Sequence, residues 1–322
     1  HEFHPEYTFF VLIVDRRSED ACIQKEPFIV YYVEEIGIPD FLHHAFKFDI
    51  LELNTNVKPS FLKFLFEQVG VDKLIYLDPD VFFYNRCDKV FDLLNQYSIV
   101  VTPHCIEPIQ DEFRPSEQDF LRAGVFNLGF IALRRAPESI EMLQWWERRC
   151  LSKGFNEVQS GLFVDQCWIN FVMCFFESVF VLKDQGYNMA YWNLHERKIS
   201  MNDEGYWVNR EYPLVFFHFS GIIVNKNDVN ISRHQNRFQL KDRKDLTAIF
   251  QDYRLALLKS GYIPNSDYRY SYGCYSNGFP ISKLARRLYD GKMHEMINLD
   301  PFDSEGAFFR WAKKIGVVDL NI

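Results

Sequence analysis

Two aspartates separated by a proline, Asp78-Pro79-Asp80, close the apolar run Lys73-Leu74-Ile75-Tyr76-Leu77. Carboxylates this close repel, and one would keep its proton unless a cation lay between them. Paired carboxylates suit Mn²⁺ or Mg²⁺, which take a few protein ligands and complete their shell with substrate phosphates. A metal held there can stabilise a departing diphosphate. The chemistry to look for is cleavage at a phosphate. The place to look is the carboxyl end of a strand, where open α/β sheets put their ligand crevice.

The run before the aspartates has the pattern of a strand covered on both faces. Alternate strand residues share a face, so the spacing predicts that Asp78 and Asp80 project together. Pro79 removes a ladder donor and ends the pairing. Residues 7–14 and 29–33 read as further buried strands, and Pro59 opens an amphipathic helix to residue 69. His43 and His44 have no partner at metal-ligand spacing and read as structural or solvent-facing. Residues 98–102 form a strand, and the polar stretch 104–123 reads as an irregular loop over the site. Residues 124–133 are a strand flanked by glycine. Pro137 opens a helix through the core pair Trp145-Trp146, and Asp165 stands where a cap begins the next helix. Strands follow at 179–182 and 214–219.

Strands alternating with helices predict an α/β fold with a mainly parallel sheet flanked by helices. Past residue 230 the pattern turns helical, giving a catalytic domain over 1–230 and a helical extension over 231–322. Arg286-Arg287 on a late helix reads as a solvated face, the alternative being contact with an anionic acceptor or lipid head groups.

At 322 residues the chain is long enough for one large domain with an appendage or for two domains. A net charge of −8 argues against nucleic acid as a partner, which would need basic surface. The longest apolar stretch, residues 171–182, carries Glu177 and is too short for a bilayer span. The seven cysteines lack any C-x-x-C pair and read as reduced thiols. With no signal-peptide pattern at the start, the expected location is cytoplasmic, with the inner face of a membrane as the alternative.

Four pieces occur in an order similar to that of GT-A glycosyltransferases. They are the strand ending in Asp78-Pro79-Asp80, Phe126-Asn127-Leu128-Gly129, Asp165-Gln166 entering a helix, and His218-Phe219-Ser220-Gly221 after a strand. Over residues 7–225 the chain most resembles the retaining, glycogenin-like group that includes bacterial lipopolysaccharide sugar transferases. The resemblance implies a nucleotide-sugar donor, a UDP-sugar above all, with Mn²⁺ or Mg²⁺ on its diphosphate. It implies Asp78, Asp80 and His218 as metal ligands, Asp78 also touching ribose. It places Lys58, Asn127, Asp165, Ser220, Gly221 and Lys226 on the donor, with Asp165 on the sugar hydroxyls and Gln166 near the anomeric carbon. Imidazole among the ligands favours Mn²⁺. The acceptor would be a glycan, a lipid-linked sugar or a protein, in surface glycan synthesis. The resemblance also implies that the first βα unit of the fold, roughly 30 residues, is missing ahead of His1.

Each residue has a plainer alternative. Asp165 could cap its helix, Asn127 could satisfy a turn, and His218 could be a core histidine. Tyr191, Trp192, His195 and Arg197 could line an acceptor groove or simply pack. Two other functions share the aspartate motif. One is a haloacid-dehalogenase-type phosphohydrolase with Asp78 as nucleophile and Asp80 as acid. The other is a non-catalytic glycan-binding or scaffolding module.

Overall fold

The computed structural model describes residues 1–17, 27–222, 231–265, 268–292, 295 and 299–318, and these build an α/β fold of small sheets and helices. Strands Phe10–Ile13 and Ile29–Tyr32 pair in parallel. The principal sheet has four strands in the order Lys73–Leu77, Phe126–Arg134, Ile99–Pro103, Val179–Val181. The central Phe126–Arg134 strand runs against both its neighbours, and only Ile99–Pro103 and Val179–Val181 lie parallel. The sheet is therefore mixed rather than mainly parallel. Eight of the nine residues of Phe126–Arg134 are buried, and a strand covered on both faces is apolar whichever way it runs. Composition consequently carried no information about its direction.

The expected strand through Asp80 is in fact two strands. Lys73–Leu77 ends in the principal sheet, and Val81–Phe83 enters a second sheet of order Met189–Ala190, Phe216–His218, Val81–Phe83. Between them Val81 N–H donates to the Asp78 carbonyl at 3.2 Å, closing a turn with Pro79 at its second position, where the fixed φ of proline fits. The aspartates thus occupy the hinge between two sheets. In the second sheet His218 lies opposite Val81, which brings the imidazole beside that hinge.

The stretch 104–123 contains a helix, Glu117–Ala123, started by a reciprocal Ser116/Asp119 cap. Arg237 secures the start of this segment, bonding both carboxylate oxygens of Asp111 and the carbonyls of Phe113 and Pro115.

The residues after 231 share the core of the first 220. Phe46 is fully buried, with its ring against Tyr275, Tyr289, Phe302 and Phe308 at centroid separations of 4.6–5.7 Å. Such aromatic pairs each add about 0.5–1.5 kcal/mol beyond area burial. Arg286 is not on a solvated face. It is buried and donates to the carbonyls of Ala45, Phe46, Phe48 and Tyr272. Arg287 bonds Glu52 and Glu157. Ala285 and Tyr289 stand four residues apart on the helix Lys283–Asp290 and turn it inward, carrying Arg286 with them to the carbonyls left unpaired at the end of helix Phe41–Lys47. No helix among the described residues is long and apolar enough to cross a membrane.

Candidate metal and substrate site

Asp78, Asp80 and His218 form a cluster in which one ligand atom from each lies within 4.8 Å of the others. His218 Nε2 is 2.8 Å from Asp80 Oδ1 and 3.8 Å from Asp78 Oδ2. Around an ion with bonds of ~2.1 Å, cis ligands stand roughly 3 Å apart and trans ligands roughly 4.2 Å, so small adjustments would seat one. The imidazole is buried while each carboxylate is about a third exposed, 31% for Asp78 and 34% for Asp80. The open side of the cluster therefore faces solvent, where a phosphate could approach.

The polar groups fit a cation. Asp80 Oδ1 is buried, and its near partner is His218 Nε2 at 2.8 Å. Burial works against the ionised Asp80, but His218 beside it outweighs burial and holds its pKa below the ordinary value. Asp78 divides its two oxygens. Oδ1 accepts from Tyr76 Oη at 2.7 Å and lies 3.8 Å from Lys58 Nζ, while Oδ2 turns toward His218. A carboxylate oriented by outer partners in this way is a better-aimed ligand. A second cluster of this kind, His4, Glu6 and Asp88, is already filled by the Arg86 guanidinium, which pairs with both acids.

Gly129 makes the imidazole position attainable. A Cβ at this residue would stand 2.2 Å from His218 Cε1 and 2.7 Å from Nδ1. The ring also meets Trp192 edge-on at 5.0 Å. His218 packs against both a bare backbone and an indole.

Lys58 lies behind the aspartates, with its side chain only 2% exposed. Its ammonium is 2.7 Å from Asp165 Oδ2, donates to the Leu128 carbonyl at 2.7 Å, and sits 4.3 Å over the Tyr76 ring. Burial disfavours this charge, yet Asp165 and Asp78 together raise its pKa above the ordinary value. Asp165 is accordingly an ion-pair partner rather than a cap. No side-chain cap bond starts the Cys167–Phe171 turn that follows, and the Trp146 indole fixes the Asp165 carbonyl at 2.8 Å. Gln166 accepts from Leu128 N–H at 3.1 Å and donates to the Ala123 carbonyl at 3.0 Å. Asn127 Oδ1 accepts from Gly129 N–H and from Asn188, so its turn-satisfying alternative is realised in part.

The structure brings Asp78, Asp80, His218, Lys58, Asp165, Asn127 and Gln166 into one connected set of contacts. Ser220 and Gly221 follow His218 in the chain, and Gly221 carbonyl accepts from Arg233 N–H at 3.1 Å. Lys226 lies outside the described residues. Among the acceptor candidates Arg197 is a correction. Its guanidinium is buried and used on Gln185 and Tyr187 carbonyls and on Glu196, so it braces a turn. His195 Nε2 is 3.3 Å from the Glu107 carbonyl, and Trp192 is buried beside His218.

Two residues of this region were not singled out from sequence: His104 and Asn188. His104 follows an apolar strand at the same carboxyl-end position that drew attention to Asp78, and that signal could have found it. Burial pushes its imidazole down to about 4. Asn188 takes a left-handed backbone, φ 51°, which asparagine tolerates better than most residues.

The chain is similar to two Bacillus subtilis (strain 168) proteins, both described as uncharacterized. It is 28% identical to YfnF over 188 residues, covering 57% of this chain and 61% of YfnF. It is 24% identical to YfnD over 263 residues, covering 80% of this chain and 81% of YfnD. No family model and no solved structure matches.

Proposed function

We propose that the chain is a metal-dependent glycosyltransferase of the GT-A kind, moving a hexose from a nucleoside-diphosphate sugar, UDP-sugar above all, to an acceptor hydroxyl. The observation that carries the reading is the meeting of Asp78, Asp80 and His218 from two sheets at one solvent-facing point. The resemblance of the four sequence pieces supports it, since all four meet around that point. Retention at the anomeric carbon, a glycan, lipid-linked or protein acceptor, a role in surface glycan synthesis and a cytoplasmic location are parts of the proposal that rest on the resemblance.

When bound at these three residues, Mn²⁺ or Mg²⁺ would supply charge stabilisation to the leaving diphosphate. The rest is done by the chain. Tyr76 and Lys58 fix one oxygen of Asp78 and so aim the other. Asp165 and Gln166 are held by Lys58, Leu128 and Ala123, which preorganises the inner wall where the sugar would lie. The segment 104–123 covers that wall, with the Phe120 ring stacked 4.9 Å from His104. Cover of this kind excludes water and protects a donor from hydrolysis.

The test is turnover of a panel of UDP-sugars. Mn²⁺-dependent release of UDP, lost on chelation and in Asp80→Ala, is the expected result. Phosphate release from small phosphomonoesters would instead make Asp78 a phosphohydrolase nucleophile. Saturable glycan binding with neither product would mark a non-catalytic module.

A further inference from the structure

Beyond Asp165 and Gln166 the chain makes two short helical turns, Cys167–Phe171 and Val172–Phe175. Ile169 and Val172 enter the core, while Phe171, Met173 and Phe175 stand 48%, 50% and 55% exposed, with Cys174 exposed among them. The Phe171 and Phe175 rings stack at 5.3 Å, and Phe175 meets Trp145 of helix Pro137–Lys153 edge-on at 5.5 Å. Asn170 Oδ1 accepts from Val125 N–H at 2.9 Å. That bond ties the turns to two more exposed apolar residues, Val125 and, four residues earlier, Leu121. Phe171, Met173 and Phe175 expose on the order of 300 Å², and Leu121 and Val125 bring the strip to ~500 Å². Apolar surface of this extent on a folded chain marks a place where something docks.

The charges beside the strip are sorted along the helix Pro137–Lys153. Arg149 follows Trp145 by one turn and lies 5.8 Å over the Trp168 ring, and Arg148 next to it is exposed. Arg122 is exposed beside Leu121. The acids Glu138 and Glu141 belong to the other half of the helix, where Glu138 accepts from the Glu177 and Ser178 N–H groups. Glu147 is paired with Lys63, and Glu117 accepts from Ile109 N–H. The arginine half is the one in which Trp146 donates to the Asp165 carbonyl, so it borders the metal and substrate site. Rings beside arginines, each arginine stem lying along apolar surface with its head group free, are the side chains that settle at a bilayer interface. Anionic head groups complement the arginines, each basic side chain near such a surface strengthening binding about fivefold. A stable dimer would need about 800 Å² from each partner, well above what the strip offers.

We propose that the face formed by Phe171, Met173 and Phe175 with Leu121 and Val125 docks on an anionic lipid bilayer, its arginine end turned toward the head groups. Val125 precedes Asn127 of the site by two residues, so the rim of the site comes down on the same surface. The docking face stands on its own residues. The transferase reading adds that an acceptor carried on a lipid would reach the metal cluster from the plane on which the protein rests.

The experiment is co-sedimentation of the full chain with vesicles of phosphatidylcholine alone and of phosphatidylcholine mixed with phosphatidylglycerol. Binding is expected to the mixed vesicles, and at least about fivefold weaker binding to the neutral ones. Phe171→Ser with Phe175→Ser is expected to lower the partition coefficient at least about tenfold, since each ring gives up half its area to the bilayer. Arg148→Glu changes an exposed side chain and keeps the test open should the double variant misfold. It is expected to lose about fivefold or more, whereas Lys241→Glu, exposed but outside the strip, is expected to change binding less than about twofold. Absence of vesicle binding, or binding that the strip variants leave intact, would overturn the docking face. A dimer in solution that the double phenylalanine variant abolishes would overturn it as well and give the face to a second copy. Titration of UDP with Mn²⁺ separates this from the transferase reading. The double variant is expected to bind UDP as the parent does, and a parent that binds vesicles but no UDP would refute the transferase reading while the docking face stood.

Discussion

Gly129→Ala places one methyl group where His218 needs space. The new Cβ would stand 2.2 Å from His218 Cε1, whereas ordinary contact begins at 3.4 Å. The ring would have to withdraw by about 1.2 Å, and Trp192 is also packed against it. Metal ligands tolerate displacements of about 0.2 Å, so the imidazole would leave the coordination shell. Overpacking itself costs about 1–3 kcal/mol, so the variant should still fold, with a lowered melting temperature. The assay is thermal unfolding with and without Mn²⁺. At a hundredfold excess over Kd, binding stabilises the parent by about 2.7 kcal/mol, and at roughly 2 °C per kcal/mol for a chain of this size that is ~5 °C. If the variant binds a hundredfold more weakly, the same Mn²⁺ concentration gives only about 0.4 kcal/mol, under ~1 °C. A full ~5 °C shift in Gly129→Ala would show that His218 is not a ligand.

Three further outcomes follow from buried charges. Lys58→Met should cost about 3–5 kcal/mol in denaturant unfolding because it strands Asp165, and adding Asp165→Leu should recover much of that loss; a double variant no better than the single would refute the pairing. Arg286→Lys should destabilise by at least about 2 kcal/mol, since an ammonium cannot reproduce the guanidinium fork that serves four carbonyls; unchanged urea midpoints would contradict this. Burial lowers the pKa of His44 to about 4. Between the ordinary His value and about 4 the unfolded chain binds more protons than the folded one, so this contribution is complete above pH 6.5 and shrinks as the pH falls. From pH 7 to 4.5 the loss is about 2.5 kcal/mol, and His44→Gln should lose less over that interval by a similar amount.

The chemistry of the site was readable where residue type alone decides. Residue type singled out the paired acids and the resemblance supplied His218, and the structure brings the three together. The α/β alternation was also readable, because burying both faces of a sheet requires it. Direction was not, because the residues of Phe126–Arg134 are equally apolar read either way. Nor was the break at Pro79 between two sheets: Leu77 and Val81 have the same strand character, and only pairing with Phe216–His218 shows that Val81 has changed partners. Arg286 looked solvent-facing because three of its four carbonyl partners lie some 240 residues away in sequence. Gly129 carries no side chain to notice, and its role is defined by the ring that rests on it.

The central claim is that a divalent ion held by Asp78, Asp80 and His218 grips a diphosphate, and titration of UDP into the chain tests it most directly. With Mn²⁺ present the account predicts saturable binding of UDP, lost on adding chelator and lost in Asp80→Ala. UDP binding of equal affinity in chelator, or undiminished in Asp80→Ala, would contradict it.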